Sequence, residues 1–330
     1  MVTTAREIDV ALIVPTHERA NELCTLLDSL DQLDESDRLE IIVIDDGSSQ
    51  PLEPIIRSKN LHWPISVLRN ESAMGPSAAR NRGAGATRAT YLWFMDSDAE
   101  VCLANTLTAL SGRLAEAPQV GAVGGIFEPF GTIWRPVRLL LWPNFLFVYL
   151  PASSADETAG PVGGLGSCNL MLRRRDFEAI GGFDETFHRD EDMDLCLRLS
   201  SRGLVIEQVS LGLVRHHISP SGRDTGKLAY FNSSRDYFRV ILGTRARLLA
   251  RHKPVRAVLL PLLDAILFPL MAIQILRGRY SANRITKIAA SSRIKWLCAV
   301  VNEIALSYIT VWKELWNRKG HKIYAQSVSI

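Results

Sequence analysis

What the chain lacks narrows its class before any motif is read. No G-x-G-x-x-G follows the first apolar run, and G-x-x-x-x-G-K-[ST] occurs nowhere. A dinucleotide-binding fingerprint and a P-loop are therefore disfavoured. A nucleotide diphosphate bound here is expected to rest on a metal rather than on a glycine-rich nest. The five cysteines, Cys24, Cys102, Cys168, Cys196 and Cys298, are odd in number and scattered, and no pair has metal-ligand spacing. Reduced core thiols in a cytoplasmic compartment are expected. MVTTAREIDV has no basic stretch followed by an apolar one, so no signal peptide is expected at this end.

Acidic residues are scarce in one region. Residues 237–330 hold 16 Lys/Arg against 3 Asp/Glu, a net of +13, while the remainder carries −10 and the whole +3. An acidic body and a basic tail suggest two environments, and the tail fits an anionic membrane or nucleic acid. A clean membrane span is also lacking. Ala257–Leu276 is largely apolar but contains Pro261, Asp264, Pro269 and Gln274. As a helix it measures about 30 Å, long enough to span, yet a mid-run aspartate costs roughly 2.5–3.5 kcal/mol on insertion. Helices lying in the membrane interface are expected there and at the amphipathic Trp296–Trp312. The aromatic stretch Thr132–Pro151 is too short and too interrupted by proline to span. A flap, a membrane-touching loop and ordinary core all remain open for it, and the polar Ser153–Pro161 follows.

What is present is a 330-residue globular composition, 47% hydrophobic and 22% charged, enough for two domains or one large one. The centre of the pattern is Tyr91–Asp98, YLWFMDSD. Its apolar run reads as a buried strand, and Asp96, Ser97 and Asp98 fall at the strand's C-terminal edge, where open α/β sheets bind ligands. On extended backbone residues i and i+2 point the same way, so the two carboxylates form a hard-oxygen site suited to Mg2+ or Mn2+. Ile8–Val14 and Glu40–Ile44 read as strands on either side of a helix over Asn21–Leu30. This βαβ unit implies a parallel sheet, and it puts the loops 15–19 and 45–49 on the same edge as Asp96–Asp98. Ile65–Leu68 and Val120–Ile126 read as further strands.

The small-residue stretch Gly75–Arg88 can pack close to the sheet, with Arg80 placed either to reach a phosphate or to remain solvated. In the acidic knot 190–194, Asp190 and Asp194 are expected to act as helix caps, and a carboxylate there can also serve as general base. His216 and His217 are strand neighbours facing opposite ways, so at most one joins a metal site.

In order and spacing, IVPTHER, VIDDGSS, GPSAARNRGA, FMDSD, GSCNLMLRRRDFEAIGGFDE and EDMDLCLRLSSRG resemble the family-2 glycosyltransferases of GT-A fold, bacterial polysaccharide and rhamnosyl-type transferases among them, over about residues 8–220. The resemblance implies an α/β fold with a mostly parallel sheet flanked by helices. It implies inverting transfer from a nucleotide-diphosphate sugar to a hydroxyl acceptor on a glycan or lipid-linked saccharide. Under it, Pro15, His17, Glu18, Asp46, Arg80, Asp96 and Ser97 bind the donor. Asp96, Asp98 and His216 hold the metal, with His217 the alternative. Asp192 is the catalytic base and Glu191 lies on the acceptor side. Members often carry Tyr-Asn where this chain has His17-Glu18.

The expected organisation is a nucleotide-sugar half at 1–130, an acceptor half at 131–236 and a basic, membrane-associating helical tail at 237–330. Such an enzyme sits in the cytoplasm, peripheral at the inner face of the membrane, and binds no nucleic acid. Two other readings stay open. A sugar nucleotidyltransferase usually carries a glycine- and basic-rich phosphate loop, which is not found here. A non-catalytic adaptor would leave the clustered acids without a role.

Overall fold

The computed structural model describes residues 9–34, 38–59, 61, 63–125, 127–128, 134–137, 148–151, 159–187, 189–217, 234–276, 279–281, 285–287 and 293–327. Most of Thr132–Pro151 and of Ser153–Pro161, together with His188 and residues 218–221, lies outside these. The chain divides into two compact units. One comprises Met1–Arg138 with Tyr149–Ala229, the other Leu139–Val148 with Tyr230–Ile330.

The first unit opens as its apolar periodicity dictates: β1 Val10–Thr16, α1 Ala20–Ser29, β2 Leu39–Asp46, α2 Glu53–Arg57, β3 Ile65–Asn70, α3 Pro76–Gly85 and β4 Tyr91–Phe94. Then come β5 Ala99–Val101, α4 Thr106–Glu116, β6 Val120–Gly124, β7 Phe127–Glu128, β8 Trp134–Val137, β9 Val148–Pro151 and β10 Gly160–Pro161. The unit closes with β11 Leu170–Arg173, α5 Arg174–Ala179, α6 Glu191–Ser201, β12 Val205–Gln208 and β13 Val214–His216. The main sheet has the order β10-β12-β6-β11-β4-β1-β2-β3. It is parallel apart from β11, antiparallel to both its neighbours, and the edge strand β10. β8 and β9 pair separately.

Alternation along β1 sorts its side chains into two layers, as a period of two requires. Val10, Leu12 and Val14 pack with Leu23, Leu26 and Leu27 of α1 and Leu107, Leu110 and Leu114 of α4. Ala11 and Ile13 pack on the other face with Ala79 and Ala84 of α3 and Leu195 and Leu199 of α6. Both faces are covered, so the strands read as continuous apolar runs. α3 sits close because it presents little side chain: a Cβ on Gly83 would lie 2.6 Å from Ile13 Cγ2 and 2.7 Å from Ile44 Cδ1.

Register then carries the function-bearing residues to one edge. Thr16 of β1 pairs with Asp45 of β2, and Ile13 with Phe94 of β4, so the loops after all three strands emerge together. A second sheet, β5-β13-β7, does what local periodicity cannot show. Antiparallel pairing of His216 with Ala99 returns residue 216 to the end of the Asp96–Asp98 turn.

The second unit is helical: α7 Ser234–His252, α8 Pro254–Val258, α9 Leu260–Leu276 and α10 Arg293–Ser327, with a short ladder of β14 Arg279–Ser281 and β15 Ile285–Lys287. The apolar run Ala257–Leu276 is broken at Leu259, and no described helix is long and apolar enough to cross a membrane.

Gly47 closes the turn after β2 at φ +73, and a Cβ there would lie 2.6 Å from the backbone of Ser72 and Ala73. Gly47→Ala is expected to cost about 2–4 kcal/mol, combining left-handed strain with overpacking against rigid backbone. A denaturant titration reads this as a lower midpoint at unchanged slope.

Candidate active site

The loops on the sheet edge are fixed by hydrogen bonds among themselves. Asp46 is buried at the end of β2. Its Oδ1 accepts from Asn70 Nδ2 at 2.6 Å and the Met74 amide at 3.0 Å, and its Oδ2 accepts from the Gly75 amide at 2.9 Å. It therefore ties β2 to the end of β3 and the start of α3. Asp45 accepts from the amides of Ser48 and Leu52 and pairs with Arg69. His17 Nδ1 lies 2.8 Å from the Asp46 carbonyl oxygen, which donates nothing, so that nitrogen carries the proton. Glu18, at φ +55, accepts from the Ser49 amide and hydroxyl and so bridges the first two loops. Pro15 lies one residue before the end of β1, at the same edge.

Asp96, Asp98 and His216 each offer a ligand atom, and these lie within 4.8 Å of one another. His216 Nε2 is 3.3 Å from Asp98 Oδ1 and 3.5 Å from Asp96 Oδ2. Two hard carboxylate oxygens and one imidazole nitrogen suit Mg2+ or Mn2+, so the donor set fits the expected metal. His217 instead turns outward to Glu100 Oε2 at 3.1 Å, as opposite strand faces require. Burial alone would lower the His216 pKa. Cys168 beside it, with the Asp98 and Asp96 carboxylates, outweighs burial and holds it well above its ordinary value.

Sequence reasoning missed two members of this cluster. Arg19 Nη1 lies 3.0 Å from Asp98 Oδ1, placing a guanidinium on a metal-ligand oxygen. The buried Cys168 lies against His216. Arg19 is the last letter of IVPTHER, a position that offered a signal; Cys168 in GSCN offered none. Ser97, between the two acids, is buried and its hydroxyl has no hydrogen-bond partner among the described residues, and the same holds for Thr16 at the end of β1.

Arg80 is not solvated. It is 3% exposed, donates from Nη2 to Asp96 Oδ1 at 2.7 Å and from Nη1 to Glu191 Oε1 at 2.8 Å, and lies over the Phe183 ring. It thereby joins the Asp-Ser-Asp turn to the head of α6. Asp192 follows on that helix, half-buried, with Oδ2 accepting from the Ser167 amide at 3.1 Å. Burial first, then the charges of Glu191 and Asp190, push its carboxyl up to about 7, against the Ser167 hydrogen bond and Arg80.

The expected caps are corrected here. Asp190 takes the N-cap position in the left-handed region but makes no side-chain cap hydrogen bond, and Asp194 is buried against Arg198 Nε at 2.7 Å. Asp194 points into the core face of α6, where only a paired carboxylate is tolerated.

The comparisons with known proteins agree with this architecture. Residues 11–181 match the family model "Glycosyl transferase family 2", and residues 157–218 match "N-terminal domain of galactosyltransferase". The chain belongs to the glycosyl transferase family 2. It is similar to a pre-mycofactocin glycosyltransferase of Mycobacterium tuberculosis, with 30% identity over 68% of this chain and 46% of that protein. The match thus spans less than half the length of that relative.

Among solved structures, a mannosyltransferase, PcManGT from Pyrobaculum calidifontis in complex with GDP-Man and Mn2+, has a TM-score of 0.54 at 16% identity. That superposition covers 98% of this chain and 80% of the other. S. aureus TarS in complex with UDP-GlcNAc has a TM-score of 0.53 at 17% identity, over 89% of this chain and 72% of the other. These likenesses establish the fold, a GT-A-type mostly parallel sheet flanked by helices.

Replacing Arg80 by methionine strands Asp96 and Glu191 without their shared cation. The expected loss is about 3 kcal/mol, at the low end for a broken buried pair because Asp96 is partly exposed. Adding Glu191→Gln should recover part of it. A double-mutant cycle by guanidinium unfolding measures both.

Proposed function

We propose that this chain is an inverting glycosyltransferase that moves a sugar from a nucleotide-diphosphate donor to a hydroxyl of a glycan or lipid-linked acceptor. The acceptor is presented at the inner, cytoplasmic face of an anionic membrane. The observation that carries the proposal is the joining, by Arg80, of the Asp96–Asp98–His216 cluster to the acidic head of α6. The same joining disfavours a non-catalytic adaptor, which needs no such constellation.

In this reading the donor lies across the sheet edge. The His17 loop and Asp46 face the base, with Pro15 and Glu18 shaping the pocket and Thr16 and Ser97 offering hydroxyls that find no partner among the described residues. The donor-bearing half is residues 1–130, the acceptor half 131–236, and residues 237–330 attach to the membrane. Asp96, Asp98 and His216 would hold Mg2+ or Mn2+, which when bound neutralises charge on the leaving diphosphate.

Asp192 accepts the proton of the acceptor hydroxyl as its oxygen attacks the anomeric carbon. The bond from that carbon to the diphosphate oxygen breaks on the opposite face, so the centre inverts. One base suffices; a retaining double displacement needs a second, nucleophilic carboxylate at the sugar. The Ser167 amide orients Asp192, Glu191 lies on the acceptor side, and a carboxyl titrating near neutrality is matched to general-base work.

Two sets of measurements test this. Transfer rate should rise with pH to a plateau, with its inflection near the Asp192 value of about 7. Asp192→Asn should lower kcat by about 10²–10⁴ while leaving donor binding intact. Because the folded pKa of Asp192 lies above its unfolded value of about 4, its stability contribution is full below that value and lost as pH rises through 7. Asp192→Asn should therefore raise Tm at pH 8 more than at pH 5. A variant with normal turnover would remove Asp192 as the base.

For the metal, titration of Mn2+ by electron paramagnetic resonance should show Asp98→Asn weakening binding by about 10–100-fold or more. Arg19→Gln should strengthen it in the absence of donor, because a competing cation has gone. Equal Mn2+ binding by wild type and Asp98→Asn would sink the assignment of these ligands.

A further inference from the structure

In the second unit two helices bury polar and charged side chains beside an apolar core and leave large apolar ones exposed. α10 turns Glu303 and Ser307 inward, each 2% exposed, and sends Glu314 to Arg247 and Arg251 of α7 at 3.2 and 2.9 Å. Its outer face carries Ile294, Val301, Ile309, Trp312 and Trp316, all exposed, the two tryptophans by 66% and 77%. At 3.6 residues per turn these five fall within an arc of about 80° and run about 33 Å along the helix. α9 repeats the pattern. Asp264 is buried, held by both Arg245 terminal nitrogens at 2.8 Å and by the Tyr308 hydroxyl at 3.0 Å, while Leu262, Ile273 and Leu276 are exposed. A helix whose apolar stripe faces outward is matched to a non-aqueous partner.

Charge decides which partner. All three acidic residues of 237–330, Asp264, Glu303 and Glu314, lie on these inward faces. Among the described residues of that region the exposed charged side chains are therefore cationic. Lys295 and Lys313 are exposed and, by helical spacing, share one flank of the α10 stripe. A second copy of this region would bring like charge against like, whereas an anionic bilayer supplies both hydrocarbon and counter-charge. Exposed tryptophans beside lysines match the amphipathic layer between headgroups and acyl chains.

We propose that the outward stripes of α9 and α10 are the bilayer-contacting surface of this protein. They lie in the headgroup–acyl boundary of an anionic leaflet without spanning it, and the buried Arg245–Asp264–Tyr308 cluster holds α7, α9 and α10 together beneath them. The inference deepens the membrane contact of the preceding section and rests on that reading only for its partner, not on the transfer chemistry.

The full chain is floated with vesicles of phosphatidylcholine, with and without phosphatidylglycerol, and Trp312→Ser/Trp316→Ser and Ile309→Glu are run alongside. Wild type should bind the phosphatidylglycerol vesicles, and each variant should bind at least ~10-fold more weakly. Acyl-brominated lipids should quench a tryptophan component that the double variant lacks. Circular dichroism and Tm should not change, since these side chains make little internal contact; Lys295→Glu/Lys313→Glu gives an independent variant whose binding should also fall. Absence of vesicle binding would overturn the proposal, as would binding unaffected by every variant. A vesicle-free dimer that the same variants dissociate would also overturn it in favour of a second copy. The thermal shift of the same proteins by UDP or GDP with Mn2+ reports the donor site separately, so the two readings fail independently.

Discussion

A guanidinium removed from water must find its charge partners in the protein, and Arg80 finds two from opposite sides of the sheet edge. Nη2 takes Asp96 from the turn after β4, Nη1 takes Glu191 from the head of α6, and Phe183 covers the plane. Those acids are far apart in the chain and would repel one another without the cation between them. The geometry depends in turn on α3 lying close to β1 and β2, which the missing side chain at Gly83 permits. Arg80 also sets part of the electrostatics at Asp192. Burial raises that carboxyl most, Glu191 and Asp190 raise it further, and the Ser167 hydrogen bond and then Arg80 oppose them, so the value near 7 is a balance to which Arg80 contributes. Arg80 thus bears on both positioning and proton affinity in this site.

The parts of this arrangement legible in the sequence are those that local periodicity governs. Apolar runs ending in polar clusters at residues 15–19, 45–49 and 96–98 place three loops on one edge, and the parallel register of β1, β2 and β4 bears this out. What escaped notice is non-local. Nothing in the spacing of VRHHISPS announces that β13 pairs with β5, yet that pairing closes the cluster at His216 and sends His217 to Glu100. Arg80 presented itself as a phosphate ligand or a surface residue. Its burial follows from tertiary packing, which a pattern of small residues hints at but does not assign. Asp190 and Asp194 failed as caps for a related reason. A helix-end carboxylate caps only where its backbone permits the bond, and Asp194 was needed by Arg198 instead.

In the second unit the sequence carried the net charge and the amphipathicity but not the direction in which the helices face. A stripe of Ile294, Val301, Ile309 and Trp312 reads equally well as core or as surface, since spacing defines a face without saying what it meets. The buried side settles the question. Glu303, Ser307 and Asp264 occupy positions a soluble bundle would give to leucine, and Arg245 is drawn inward to match. Replacing such a buried pair by apolar residues is often neutral or stabilising, so stability alone does not account for it.

The cost makes sense if the outer face is also taken from water. Once hydrocarbon covers the outer stripes, apolar residues inside no longer distinguish one side of α9 or α10 from the other. The Arg245–Asp264–Tyr308 contacts do, because they fix which side turns in. The two units thus use a buried arginine in the same physical way. Arg80 fixes the mutual placement of groups proposed to act on a sugar, and Arg245 fixes the orientation of helices proposed to lie on a bilayer.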